Sequence, residues 1–183
     1  MKVAFMGNPE FALPSIQKIS KSKHEIKAII SNPPKPMGRK KVLKYTAVGN
    51  YSLSNNIELI ELDSFNNDHI FEKLVSLNVD IFVVAAFRIL PELYISIPDF
   101  GSINLHASIL PKYRGAAPIQ WALMNGEKTT GVSIFQIEKK VDTGKIIIQK
   151  KINIDKNDNY ALLSKKLSYT GAEALVDALS RLE

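Results

Sequence analysis

The run Asp80-Ile81-Phe82-Val83-Val84-Ala85-Ala86 constrains the fold most. It is almost wholly apolar and rich in β-formers, as expected of a strand covered on both faces. Upstream, Val3-Ala4-Phe5-Met6 is a second apolar run, ended by the turn residues Gly7-Asn8-Pro9. Phe11, Leu13, Ile16 and Ile19 follow at near-helical spacing, with Pro14 in the first turns, where it is tolerated. Ile26 to Ile30 reads as a strand, 46–54 as a polar helix and Ile57–Leu62 as a strand, and Ile70, Leu74 and Leu77 mark a helix. The cluster Asn32-Pro33-Pro34-Lys35-Pro36-Met37-Gly38 breaks both periodicities and makes 32–44 a loop. Strand and helix alternate over residues 1–86, which predicts an α/β fold: a doubly wound, mostly parallel sheet with helices on both faces. Further strands are expected at Ser102–His106, Gly131–Ile137 and Gly144–Ile154, and an amphipathic helix over Tyr160–Leu182.

The chain has 183 residues, which predicts a single domain. Hydrophobic residues make up 45% and charged residues 23%, which excludes disorder, collagen and coiled coil for the chain as a whole. Cysteine is absent, so there is no disulfide framework and no Cys nucleophile. No apolar run reaches the ~18 residues that span a bilayer, and no signal-peptide layout opens the chain, so a cytoplasmic protein without membrane association is expected. The charge is uneven. Lys plus Arg is 24 against 18 acidic residues, but Lys35, Arg39, Lys40, Lys41 and Lys44 all lie between Asn32 and Tyr45, a stretch without an acid. Such a segment suits a polyanionic partner, and a solvated loop is the plainer alternative.

In an open α/β sheet, ligands bind beyond the carboxyl ends of the strands, where strand order reverses. Asn104 and His106 close the strand at 102–106 and share one of its faces. An amide donor beside an imidazole suits acyl transfer: the amide stabilises a developing oxyanion and the imidazole moves a proton. Asp142, in Val141-Asp142-Thr143-Gly144, is the candidate third member, because a carboxylate near an imidazole orients it and favours its cation. Asp-x-Gly is also ordinary turn chemistry, and the sequence does not bring Asp142 to His106. No Gly-x-Gly-x-x-Gly follows the first strand and no Walker A motif is present. His24, His69 and His106 have no metal-ligand spacing. Trp121 and its aliphatic neighbours read as core.

Four stretches make the chain recognisable: 3–12 (Val-Ala-Phe-Met-Gly-Asn-Pro-Glu-Phe-Ala), 108–119 (Ser-Ile-Leu-Pro-Lys-Tyr-Arg-Gly-Ala-Ala-Pro-Ile), Asn125-Gly126-Glu127 and Thr130-Gly131-Val132. With Asp142-Thr143-Gly144 they resemble the N-terminal, catalytic domain of the methionyl-tRNA formyltransferases, over essentially the whole chain. The resemblance implies a Rossmann-like fold and transfer of a formyl group from 10-formyltetrahydrofolate to the α-amino group of initiator methionyl-tRNA, without a metal, by a monomer. It puts Asn104, His106 and Asp142 on the catalytic positions, and Ser108, Ile109, Leu110 and Pro111 on the tetrahydrofolate segment. It puts Ile89, Leu90 and Val141 on the pterin pocket. It makes Lys35, Arg39, Lys40, Lys41 and Lys44 the loop that meets the tRNA acceptor arm. Three departures accompany it. Ala86-Phe87-Arg88-Ile89-Leu90 is closer to the glycinamide ribonucleotide transformylase pattern and implies an altered pocket wall. Tyr45-Thr46-Ala47-Val48-Gly49 replaces the usual Pro-Val-Lys ending of the basic loop. The family's C-terminal tRNA-binding β-barrel is expected to be absent from these 183 residues. A formyltransferase for a small amine, such as an amino-sugar nucleotide or glycinamide ribonucleotide, and a non-catalytic folate- or RNA-binding module are the alternatives.

Overall fold

The computed structural model describes residues 1–183. The apolar runs become the centre of a seven-stranded sheet. In chain order its elements begin with β1 (Lys2–Gly7), α1 (Leu13–Ser20) and β2 (Glu25–Ser31). A separate hairpin follows, β3 (Lys35–Met37) and β4 (Val42–Lys44), then α2 (Ala47–Ser54), β5 (Glu58–Glu61), α3 (Asp68–Ser76) and β6 (Ile81–Ala85). The second half holds α4 (Glu92–Ile95), β7 (Ser102–His106), α5 (Pro118–Met124), β8 (Thr129–Gln136), β9 (Ile146–Asn153) and α6 (Tyr160–Leu182). Strand order is β5-β2-β1-β6-β7-β8-β9. The pairs from β5 to β7 are parallel, whereas β7–β8 and β8–β9 are antiparallel. All five residues of β6 are buried, as a strand covered on both faces requires.

Two apolar layers cover the sheet. On one face, Ile16 and Ile19 of α1, Val48 of α2 and Leu163, Leu167 and Leu175 of α6 pack with Val3, Phe5, Ile103 and Leu105. On the other, Leu74 of α3 and Tyr94 and Ile95 of α4 pack with Met6, Ile30, Phe82 and Val84. Gly171 lets α6 approach the sheet, since a Cβ there would lie 2.7 Å from the Leu105 side chain. Thr46, Asn67 and Asn159 cap α2, α3 and α6 by accepting from backbone N–H groups in the first turns. No helix is long and apolar enough to cross a membrane.

Three expectations change. Residues 32–44 are not a plain loop: Met37 pairs with Val42 and Lys35 with Lys44 in an antiparallel hairpin. Gly38 at φ +72° and Lys41 at φ +47° close its turn. Pro36 is tolerated because an isolated two-stranded ribbon asks little of its missing donor. The short helices α4 and α5 have too few residues to show a period. Trp121 is not core but 49% exposed, because α5 buries only Ile119 and Ala122.

Candidate active site

Strand order reverses between β1 and β6, so the crevice expected of an open α/β sheet opens at their carboxyl ends. A cleft of about 1150 Å³ lies there. Asn104 and His106 border it, and its walls come from both sides of the sheet. One wall is built by Phe87–Leu90 with Ile137–Lys139, Val141 and Asp142, the other by Pro9–Phe11 and the start of α6. Asn104 pairs in register with Val84, whose side chain belongs to the α3/α4 layer, so Asn104 and His106 look toward that layer.

His106 is 6% exposed, and its ring is defined by two neighbours. Nε2 lies 2.8 Å from the Tyr113 carbonyl oxygen. A carbonyl only accepts, so Nε2 carries the proton and donates. Nδ1 faces Asp142 Oδ2 at 3.6 Å, an ion-pair distance longer than a hydrogen bond. Asp142 Oδ2 instead accepts from the Gly115 N–H at 2.7 Å, and the Arg114 Nε–H donates to the Asp142 carbonyl at 2.9 Å. One short stretch, Tyr113–Gly115, therefore holds both His106 and Asp142. The Asn104 side-chain amide makes no hydrogen bond within the protein and is free to serve a ligand.

Asp142 reaches this place because the β8–β9 connection folds back over the sheet. Ile137 packs into the α3/α4 layer, and Gly144 presses against Gln136, where a Cβ would meet the Gln136 carbonyl oxygen. The Tyr113 loop is anchored from outside. The Tyr113 phenol donates to Glu127 Oε1 at 2.7 Å, Lys112 Nζ donates to the same oxygen at 3.0 Å, and Asn125 donates to the phenol oxygen at 3.0 Å. The Tyr113 and Lys112 hydrogen bonds hold the Glu127 carboxyl below its ordinary range, and Glu127 in turn raises Lys112. Ala86, Tyr113, Ala117 and Asp142 all have positive φ, between 51° and 58°, and Tyr113 alone of the four does not line the cleft. Such backbone strain gathers at functional sites.

Arg88 braces the carboxyl edge. Nη2 donates to Asn32 Oδ1 at 2.6 Å, Nη1 donates to the Asp63 carbonyl, and the guanidinium lies 5.8 Å from the centre of the Phe87 ring. The loops after β2, β5 and β6 thus share one cation.

Ile89, Leu90 and Val141 line the cleft together with Asn104, His106 and Asp142. Ser108, Ile109, Leu110 and Pro111 do not. The Ser108 and Leu110 carbonyls accept from Ser133 and Gln149, and the Leu110 N–H donates to Ser133, which pins the segment to β8 and β9 behind the site. Leu110 and Pro111 border a separate 170 Å³ pocket. Lys35, Arg39, Lys40, Lys41 and Lys44 stand exposed on the hairpin, at the same edge of the sheet but outside the cleft lining. No group of three or more His, Asp or Glu side chains converges as a metal site. Sequence reasoning did not find Tyr113, Gly115 and Arg88, because two of them act through backbone atoms and the third through a brace between distant loops.

A family model described as formyl transferase matches residues 1–179. This chain belongs to the formyl transferase family. A methionyl-tRNA formyltransferase of Flavobacterium psychrophilum is 41% identical over all of this chain, and one of Thermodesulfovibrio yellowstonii is 43% identical over 98% of it. The chain spans 58% and 59% of the length of these two relatives. Among solved structures, glycinamide ribonucleotide transformylase 1 from Geobacillus kaustophilus superposes with a TM-score of 0.82 at 18% identity, covering 99% of this chain and 97% of that one. A phosphoribosylglycinamide formyltransferase from Anaplasma phagocytophilum gives 0.81 at 21% identity, covering 98% and 85%. These likenesses establish that the Rossmann-like fold of this chain is that of the formyltransferases.

Proposed function

We propose that the protein transfers a formyl group from 10-formyltetrahydrofolate to the α-amino group of initiator methionyl-tRNA, as a cytoplasmic monomer. The observation that carries this reading is the meeting of Asn104, His106 and Asp142 in one cleft; the acceptor is that of the methionyl-tRNA formyltransferases about 40% identical to this chain. A cleft of about 1150 Å³ exceeds the range of a single small-ligand site, which leaves room for a donor and the end of an acceptor together. The exposed Ile89, the half-exposed Val141 and the buried Leu90 suit the flat, partly apolar pterin of the donor. The exposed cations of the β3–β4 hairpin suit the phosphates of an acceptor arm.

The chemistry follows from the groups present. The neutral amine attacks the formyl carbon, a C–N bond forms, and the carbonyl electron pair moves onto oxygen. The free amide of Asn104 donates to that oxyanion. In the imidazolium form, both ring nitrogens of His106 carry protons: Nε2–H stays on the Tyr113 carbonyl, and Nδ1–H faces the cleft side shared with Asp142. Collapse returns the pair to the carbonyl and breaks the bond to the folate nitrogen. That nitrogen takes a proton and the attacking amine loses one. His106, or a water held on the unoccupied Oδ1 of Asp142, carries the transfer.

The test is formylation measured with 10-formyltetrahydrofolate and methionyl-tRNA, with glycinamide ribonucleotide and an amino-sugar nucleotide as parallel acceptors. Formyl-methionyl-tRNA as product supports the reading. Product with a small amine alone transfers the protein to that branch of the family.

A further inference from the structure

The β3–β4 hairpin is held at its roots. All six of its strand residues are exposed, and none joins either apolar layer. A two-stranded ribbon is marginal alone, so its direction is set where it leaves and rejoins the body, at Asn32 and Thr46. Both meet one polar junction at the carboxyl edge of the sheet. Asn8 Oδ1, just after β1, accepts from the Asn32 N–H at 2.9 Å and from the Ser31 hydroxyl at 3.1 Å. Ser31 has then given its single proton, so the Thr46 hydroxyl donates to Ser31 Oγ, while Thr46 Oγ1 accepts from the Gly49 N–H at 2.9 Å. The Asn8 carbonyl accepts from the Val48 N–H at 3.2 Å. Arg88 closes the junction from the cleft wall: Nη2 donates to Asn32 Oδ1 at 2.6 Å and Nη1 to the Asp63 carbonyl. Both acceptors are neutral oxygens, so this cation is spent on geometry and not on neutralising an acid.

We propose that Arg88 is a positioning residue for the RNA acceptor: it fixes the root of the cationic hairpin to the cleft wall and so sets where the hairpin's charges stand relative to His106. The proposal rests on the RNA-acceptor reading of the site. Arg88 is where the two regions meet. Its neighbours Phe87, Ile89 and Leu90 line the cleft, and its guanidinium ends on the residue that leads into the hairpin. The planar fork makes a directional, charge-assisted link. The anchor is itself fixed, since the guanidinium lies 5.8 Å from the centre of the Phe87 ring and Phe87 packs on the α3/α4 layer. An RNA acceptor must present its phosphates to the hairpin and its amine to the cleft at the same time. A hairpin already aimed before binding spares the ordering that a loose one would need. Arg88 also lines the cleft, but both of its terminal nitrogens are engaged by protein oxygens, which argues against a direct donor contact.

The test compares Arg88→Met, Asn32→Ala and Arg88→Lys in formylation of methionyl-tRNA, with KM for both substrates and the thermal midpoint. Arg88→Met should raise KM for the RNA by about tenfold, the share of one charge-assisted hydrogen bond, with kcat and donor KM nearly unchanged. Asn32→Ala removes the partner and leaves the cation, and should do the same. Arg88→Lys keeps the charge without the fork and should fall between. A double-variant cycle decides the role. In a chain carrying Arg39→Ala, Lys40→Ala and Lys41→Ala, Arg88→Met should raise RNA KM by less than about twofold, because little is left to aim. An undiminished rise in that background overturns the positioning role, as does an unchanged RNA KM in Arg88→Met or Asn32→Ala. A raised donor KM with unchanged RNA KM overturns it in favour of a folate contact. A lowered thermal midpoint with both KM values raised alike overturns it in favour of a general brace. Failure of the unaltered protein to formylate any RNA acceptor removes the acceptor reading and this role together.

Discussion

His24 and His106 are both nearly buried, at 4% and 6% exposure, and lie at opposite ends of the same sheet. At the amino end, His24 Nδ1 faces the N-terminal ammonium at 3.2 Å, and Nε2 lies 3.3 Å from the Ser180 hydroxyl. Burial, then that ammonium, lowers its pKa from the ordinary 6.5. At the carboxyl end, His106 has a carbonyl on one nitrogen and a carboxylate facing the other, both able to accept from a doubly protonated ring. The surroundings of His24 are closed and satisfied, whereas those of His106 are strained in backbone and open to a cleft. Burial alone does not assign a histidine its work; the partners at each ring nitrogen do.

The comparison breaks most decisively at the carboxyl end. Asn104→Ala should lower kcat by about 10²–10³-fold, the usual cost of one oxyanion donor, with donor KM nearly unchanged. Steady-state kinetics decides it, and full turnover in this variant would remove Asn104 from the chemistry. Gly144→Ala should destabilise the fold by about 3 kcal/mol, because its Cβ has no room beside Gln136, and denaturant unfolding reads this directly. Tyr113→Phe keeps the ring but frees the loop from Glu127, so His106 loses its fixed carbonyl partner. We expect about a tenfold loss in kcat and a displaced pH profile, with little change in stability. Glu127→Gln with Tyr113 intact, which keeps an acceptor for the phenol, should retain most of the activity.

The smallest effect belongs to the amino end. A folded-state pKa below the unfolded one means that the unfolded chain binds the proton first as pH falls. The contribution of His24 is therefore complete above about pH 6.5 and is lost progressively below it. The unfolding midpoint should fall between pH 7 and pH 5, and His24→Gln should flatten that part of the profile.

Much of this was legible in the chain. The uninterrupted apolar runs of β1 and β6 and the helical spacing in α1 and α6 allow few alternatives, and period-two alternation put Asn104 and His106 on one face. Asp142 needed more than its spacing, since its contact depends on a connection that folds back over the sheet. The hairpin was hidden by its breakers: prolines and Gly38 suggest an irregular loop, and Lys41 carries no sign that it adopts a left-handed turn. Trp121 misled by size, because a large apolar side chain suggests burial while the short α5 has only one side to bury. Tyr113 and Gly115 belonged to the recognisable 108–119 stretch, but nothing marked them as partners of His106 and Asp142, for the groups they lend are a carbonyl and an amide that every residue possesses.

That last feature has a bearing on how the protein tolerates change. A contact made by a side chain vanishes with one codon, but a contact made by the main chain can be moved and not deleted. The grip on His106 and Asp142 is therefore carried by atoms that no substitution removes, and a change between Tyr113 and Gly115 acts only by altering the loop's course, as loss of the Tyr113 phenol or a side chain at Gly115 (φ +83°) would. The vulnerable points lie where that course is set, at the Glu127 anchor and at Gly144, away from the reacting atoms.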